Sequence, residues 1–140
     1  MDYRRFHDTL IVRVDKGEEI LTQLQRVAEE EKIRLAGVEA LGAVDDFTVG
    51  VFNTTEKKYY SKRFRGAYEI VSLTGTISTM NGQYYAHLHM SAGDETGTVR
   101  GGHLSQAVVS ATCEMVIRVI DGTVDRTFDG DIGLNLFSFK

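Results

Sequence analysis

Apolar and polar residues alternate through most of this chain, and one stretch departs from that rhythm. Phe6, His7, Thr9, Leu10, Ile11, Val12 and Val14 predict a first strand with apolar residues on both faces of its middle. The period then changes. Asp15 stands where a helix N-cap would, and Glu18 three residues on completes a capping box. Across Gly17 to Lys32 the residues Ile20, Leu24, Val27 and Ala28 share one stripe, which predicts a long amphipathic helix with Glu18 and Glu19 at its positive end.

From Ile33 onward the chain reads as strand after strand. Gly37, Gly42 and Gly50 punctuate an apolar run, and Asp45-Asp46 marks a turn or bulge between two strands. Asn53 to Lys57 reads as a turn and Lys58 to Phe64 as a partly exposed strand. In Tyr68 to Ser78 one face carries Glu69, Val71, Leu73 and Gly75, the other Tyr68, Ile70, Ser72 and Thr74. Asn81-Gly82 is the strongest hairpin signal and joins this strand to the next. Gln106 to Ile120 forms a long strand with Val109, Ala111, Cys113, Met115, Ile117 and Val119 on one face. A return strand at Thr123 to Phe128, a turn at Asp129-Gly130 and a last strand at Leu134 to Phe139 complete the pattern. The fold class is α+β: a mainly antiparallel, curled sheet with one helix packed on it, in a single compact domain over residues 1–140.

Composition changes this picture little. An apolar fraction of 42% and a charged fraction of 26% are ordinary for a globular chain. One cysteine excludes an internal disulfide, and no apolar run approaches the roughly 20 residues that cross a bilayer, so a cytoplasmic protein away from membranes is expected. The net charge of −4 does not suit a duplex-binding surface. Lys57, Lys58, Lys62, Arg63 and Arg65 alternate with Tyr59, Tyr60 and Phe64, a pattern that can stack on nucleic acid but more often forms a solvated strand face.

The candidate chemistry lies between Tyr84 and Leu104, where three of the four histidines fall. His87 and His89 are two apart, so on a strand they leave the same face, with Cα atoms roughly 6.6 Å apart. A glycine-rich loop from Ser91 to Gly102 can fold back and bring His103 to the same point. Three neutral imidazoles with an open fourth position suit Zn²⁺ or another divalent transition metal. Glu69, one hairpin away on an otherwise apolar face, is the candidate acid/base if the site is catalytic; a salt bridge to Arg100 is the alternative. Gly101-Gly102 either lets backbone approach a ligand or shapes a tight loop. Cys113, within an apolar strand, reads as core, and His7 lies outside the pattern.

GAYEIVSLTGTIS followed by HLHMSAGDETGTVRGGHL resembles the plants-and-prokaryotes conserved (PPC) domain over nearly the whole chain. The resemblance implies a compact α+β domain assembling as a homotrimer. The histidine block is also similar to that of acetolactate decarboxylase, a more distant relative in fold, which implies His87, His89 and His103 as zinc ligands. Plant members of the family bind DNA through an Arg-Gly-Arg-Pro hook, and this proline-free chain has none. Three functions follow as expectations: a trimeric metal-binding regulatory or interaction module, a DNA-binding protein, or a metal-dependent lyase or hydrolase acting on a small carbonyl or carboxylate compound. In the last of these, a small-molecule ligand would sit at the metal.

Overall fold

A computed structural model describes residues 1–140. The elements are β1 (Asp2–Phe6), β2 (Thr9–Asp15), α1 (Ile20–Glu30), β3 (Ala36–Asn53), β4 (Lys58–Met80), β5 (Gln83–Gly93), β6 (Val99–Val119), β7 (Asp125–Asp129) and β8 (Leu134–Ser138). Six strands form one antiparallel sheet in the order β1-β2-β6-β3-β4-β5, and β5 also pairs with β6. That extra pairing closes the circuit β6-β3-β4-β5, which is the curl expected of the sheet. β7 and β8 form a separate hairpin. No helix is long and apolar enough to cross a membrane.

The first predicted strand is a hairpin. Its polar start and apolar end become β1 and β2, with exposed His7 in a left-handed turn conformation at φ 57°. The helix is shorter than the periodicity suggested, at 11 residues. Its buried stripe is the expected Ile20, Leu24, Val27 and Ala28. Most of the difference lies at the start, where β6 competes for the backbone: Gly17 N donates to Val109 O at 2.8 Å and Val109 N to Glu18 O at 2.9 Å. Extended pairing against β6 therefore holds Gly17–Glu19 out of the helix. Glu19 is the N-cap, its carboxylate accepting from the backbone N–H groups of Leu21 and Thr22. Glu18 does accept from Asp15 N at 2.8 Å, but that bond closes a turn before the helix. At the far end Ile33 N donates to Ala28 O and Lys32 N to Glu29 O, with Lys32 left-handed, the double-bonded stop of a Schellman motif.

The predicted break at Asp45-Asp46 is a bulge inside one long strand, and a further bulge interrupts a strand read as regular. β3 runs for 18 residues with register shifts at Ala40/Gly42 and Val44/Asp46, so Asp45-Asp46 is no turn. β4 runs for 23 residues and shifts against β5 between Ile70 and Ser72. This last bulge breaks the expected alternation: Ile70 and Leu73 are both buried, whereas Val71 is 63% exposed. The Asn81-Gly82 hairpin forms as expected, with φ positive at both residues.

A core of 25 buried apolar residues fills the space between the curled sheet and α1. Phe47 sits near its centre, stacked on Phe64 at 5.4 Å and edge-on to Tyr68 at 5.0 Å between ring centroids. Strands crowd closely beside this core. A Cβ on Gly75 would lie 2.1 Å from His87 O, a backbone atom that cannot swing aside. Gly75→Ala is expected to lower stability by about 2–3 kcal/mol through forced strand separation. Gly37→Ala, whose Cβ would meet nothing within 4 Å, should cost under about 0.5 kcal/mol. Chemical denaturation of the two variants checks the contrast.

Candidate metal centre

On β5 the face alternates strictly. Leu88, Met90 and Ala92 are buried in the core, which turns Tyr85, His87, His89 and Ser91 to the other side. His87 Nε2 and His89 Nε2 stand 3.2 Å apart. His103 arrives by a different route from the folded-back loop. The segment after β5 is a short turn at residues 94–98, and Gly101, Gly102 and His103 are already strand, paired with Ser91, Met90 and His89. On its other edge His103 pairs with Gly50 of β3. The doublet Gly101-Gly102 exists for this crowding: a Cβ on Gly102 would lie 2.4 Å from Gly50 O, and one on Gly101 2.9 Å from Met90 O. Neither the ligand-approach nor the tight-loop explanation is needed.

The three rings converge. Centroids lie 5.0 Å apart for His87–His89, 5.3 Å for His87–His103 and 5.8 Å for His89–His103. One ligand nitrogen from each falls within 4.8 Å of the others. Tetrahedral ligands at ordinary zinc–nitrogen distances stand about 3.3 Å from one another, so the rings would have to draw closer than their 4.8 Å limit to share one ion. The donors are all imidazole nitrogen, suited to a borderline divalent transition metal, and with three protein ligands a fourth position stays open. His87 and His103 are half-buried and His89 is exposed. Burial, then the neighbouring rings, then Arg126 lower the His87 pKa, while burial and His89 lower that of His103. Both shifts favour the neutral, metal-binding imidazole.

Glu69 is not brought to this cluster. It pairs with Gly93, four residues along β5 from His89 and thus roughly 13 Å of strand away. The β4 bulge separates it from buried Leu73 and leaves it exposed, with no ion pair to Arg100, whose guanidinium lies over Phe64 instead. Cys113 is fully buried and burial pushes its thiol up to about 12, as befits core. Two neighbours of the site gave no signal in the sequence. Tyr59 donates its hydroxyl to His103 O at 3.2 Å and sets its ring edge-on to the imidazole. Arg126 reaches the region from β7, on the separate hairpin.

A curled antiparallel sheet bearing a surface cluster of three histidines defines a small β-rich domain with a metal-type donor set. The sequence profile of the Plants and Prokaryotes Conserved (PCC) domain matches residues 1–121, and the chain belongs to that family. A candidate DNA-binding protein from Bacteroides thetaiotaomicron is 33% identical, with a TM-score of 0.96 over 99% of this chain and 96% of that one. A metal-containing protein from Archaeoglobus fulgidus is 29% identical, with a TM-score of 0.87 over 99% of both chains. Acetolactate decarboxylase from Bacillus subtilis shares the fold alone, at 15% identity and a TM-score of 0.59 over 86% of this chain and 57% of that one. Among curated relatives, the bifunctional protein GlmU of Synechococcus is 27% identical over 108 residues. The chain spans only 16% of its length.

The depressed imidazole pKa values set a pH dependence for the metal-free protein. Unfolded histidines take up protons near pH 6.5, before His87 and His103 do in the fold. Stability is therefore full above pH 6.5 and falls as pH drops below it, levelling off once the folded rings also protonate. The melting temperature should decline between pH 7.5 and 5.5, and less steeply in a His87→Gln, His103→Gln variant. Equal slopes in the two proteins would contradict the assignment.

Proposed function

We propose that this chain is a metal-binding regulatory or interaction module that works in the cytoplasm as a homotrimer. Its centre would be a divalent transition metal, zinc or a close analogue, held by His87, His89 and His103. The observation that carries this reading is the convergence of three imidazoles from two paired strands, with one ligand atom of each within 4.8 Å of the others. A metal bound there would supply a Lewis-acidic position open to an outside ligand. The chain's own contribution is to present neutral nitrogens from a rigid ladder. The relative from Archaeoglobus fulgidus, described as metal-containing, supports the same reading. Exposed apolar side chains support assembly: Leu41 is 57% exposed, Val51 65% and Val71 63%.

A lyase or hydrolase reading loses the acid/base that the sequence offered for it, because Glu69 lies along the strand from the histidines. A DNA-associated role is favoured by one observation, the description of the relative from Bacteroides thetaiotaomicron as a candidate DNA-binding protein. Such binding would weaken steeply with salt and with neutralisation of Lys57, Lys58, Lys62, Arg63 and Arg65. Duplex retention that does not respond to either would remove that role.

Elemental analysis of protein purified without added metal tests the main proposal. About one metal per chain is expected in the native protein, and close to none in a His87→Ala, His89→Ala variant. Substoichiometric metal in both preparations would defeat the centre. Light scattering should give three times the 15.6 kDa chain mass at micromolar concentration, and a monomer would count against the assembly.

A further inference from the structure

The C-terminal hairpin buries a cation for which the chain provides no counter-ion. Arg126 on β7 is only 6% exposed. Its Nε donates to Ser78 Oγ at 3.0 Å and its Nη1 to the Asn135 carbonyl at 2.9 Å, both neutral acceptors. The rings of Tyr85 and Phe137 lie over the guanidinium, with centroids 4.6 and 4.3 Å from its central carbon. None of the chain's ion pairs includes Arg126. The adjacent carboxylate of Asp125 is committed to Thr79 Oγ1 and Asn81 N. The two rings and two neutral acceptors offset part of the cost of burying this charge, but no carboxylate of the chain neutralises it, which leaves it able to meet an anion from elsewhere.

The position of this guanidinium tells where that anion would sit. Tyr85, His87 and His89 follow one another on the same face of β5. A group stacked on Tyr85 therefore stands one step, roughly 6.6 Å of strand, from His87. Nη2 has no hydrogen-bond partner in the chain. The sealed side-chain atoms without partners are Gln23 Oε1, Tyr84 Oη and Thr112 Oγ1, so Nη2 keeps access to solvent. The charge balance points the same way. A divalent ion on three neutral imidazoles retains both its charges, the histidine cluster contains no carboxylate, and Arg126 adds a third positive charge beside it. The surroundings are carbon-rich: Phe137 is 41% exposed and packs beside Phe139 at 6.3 Å between centroids. With two of its N–H groups already used, the guanidinium offers the planar donor edge that a carboxylate matches.

We infer that the three-histidine centre takes a small organic carboxylate, whose charge is met by Arg126. This rests on the metal reading above and adds a residue from outside the segment that the family profile matches, residues 1–121. Arg126 acts as a binding residue for the ligand, with Tyr85 and Phe137 holding its plane.

The test uses the full chain loaded with Co²⁺, whose visible absorption reports changes in coordination. Malonate, uncharged malonamide and inorganic phosphate are titrated separately. Malonate should perturb the spectrum saturably and malonamide should not. Arg126→Gln should weaken malonate by about tenfold or more with Co²⁺ affinity unchanged. Arg126→Lys keeps a cation in the hairpin without the planar fork, so its malonate affinity should fall between the two, and it serves if the glutamine variant loosens the fold. Equal malonate affinity in the native protein and the lysine variant, or phosphate held more tightly than malonate, would overturn the inference while leaving the metal centre standing. Failure of the native protein to bind Co²⁺ would remove the centre, and the carboxylate site with it.

Discussion

Strand β6 is hydrogen-bonded along both edges, and the rest of the molecule hangs on that double pairing. One edge meets β3 from His103 to Val119; the other meets β5 over Val99 to His103 and β2 over Thr112 to Arg118. Backbone groups this well satisfied leave no alternative register of equal energy. A slip of one residue against β5 would set Leu104 opposite His89 and turn His103 toward the core. The same closure that buries Leu104, Ala107 and Val109 therefore fixes where the third imidazole stands. The extended stretch before α1 attaches to the same strand, at the interval between β5 and β2, which is why the helix starts late.

Periodicity carried the elements whose side chains face a single environment. The helix stripe, the Asn81-Gly82 hairpin and the C-terminal hairpin were all legible, since each follows from local burial or turn chemistry. The His87–His89 pair was legible for the same reason, as side chains two apart on a strand share a face. Local pattern could not show whether Asp45-Asp46 turned the chain or bulged within it, because a bulge and a turn use the same residue types. The Val71 bulge had the larger consequence. Strict alternation put Glu69 on the face of Leu73, while one inserted residue leaves the carboxylate in solvent. His103 was correctly grouped with the pair but by the wrong route, since two adjacent glycines signal a loop as readily as they signal strands packed too tightly for a Cβ. Arg126 was beyond reach: only the tertiary placement of β7 against β4 carries it toward Tyr85.

A site on paired strands differs from one on loops in the cost of being ready. Leu88, Met90 and Ala92 anchor β5 from below, so His87 and His89 would lose little further freedom on sharing a ligand. No carboxylate or carbonyl accepts from the three imidazoles, so their orientation depends on the ladder and on the edge of Tyr59. For a metal held there, rigidity would take the place of the hydrogen-bonded outer layer that many metal sites use.

The basic strand has an explanation in the same architecture that needs no nucleic acid. β4 pairs with β5 only from Glu69 onward, which leaves Lys58 to Tyr68 as an outer edge. Unpaired strand edges invite pairing with other chains, and cations along them oppose it. Arg63 and Arg65 are both held by Asp46, while Lys58 and Lys62 lie over the rings of Tyr60 and Phe64. Charges engaged in this way cover the edge and its aromatic surface, and fewer of them are left for a phosphate backbone. The alternation of cation and ring, read in the sequence mainly as a solvated strand face, forms in the folded chain the charged cover of an exposed strand edge.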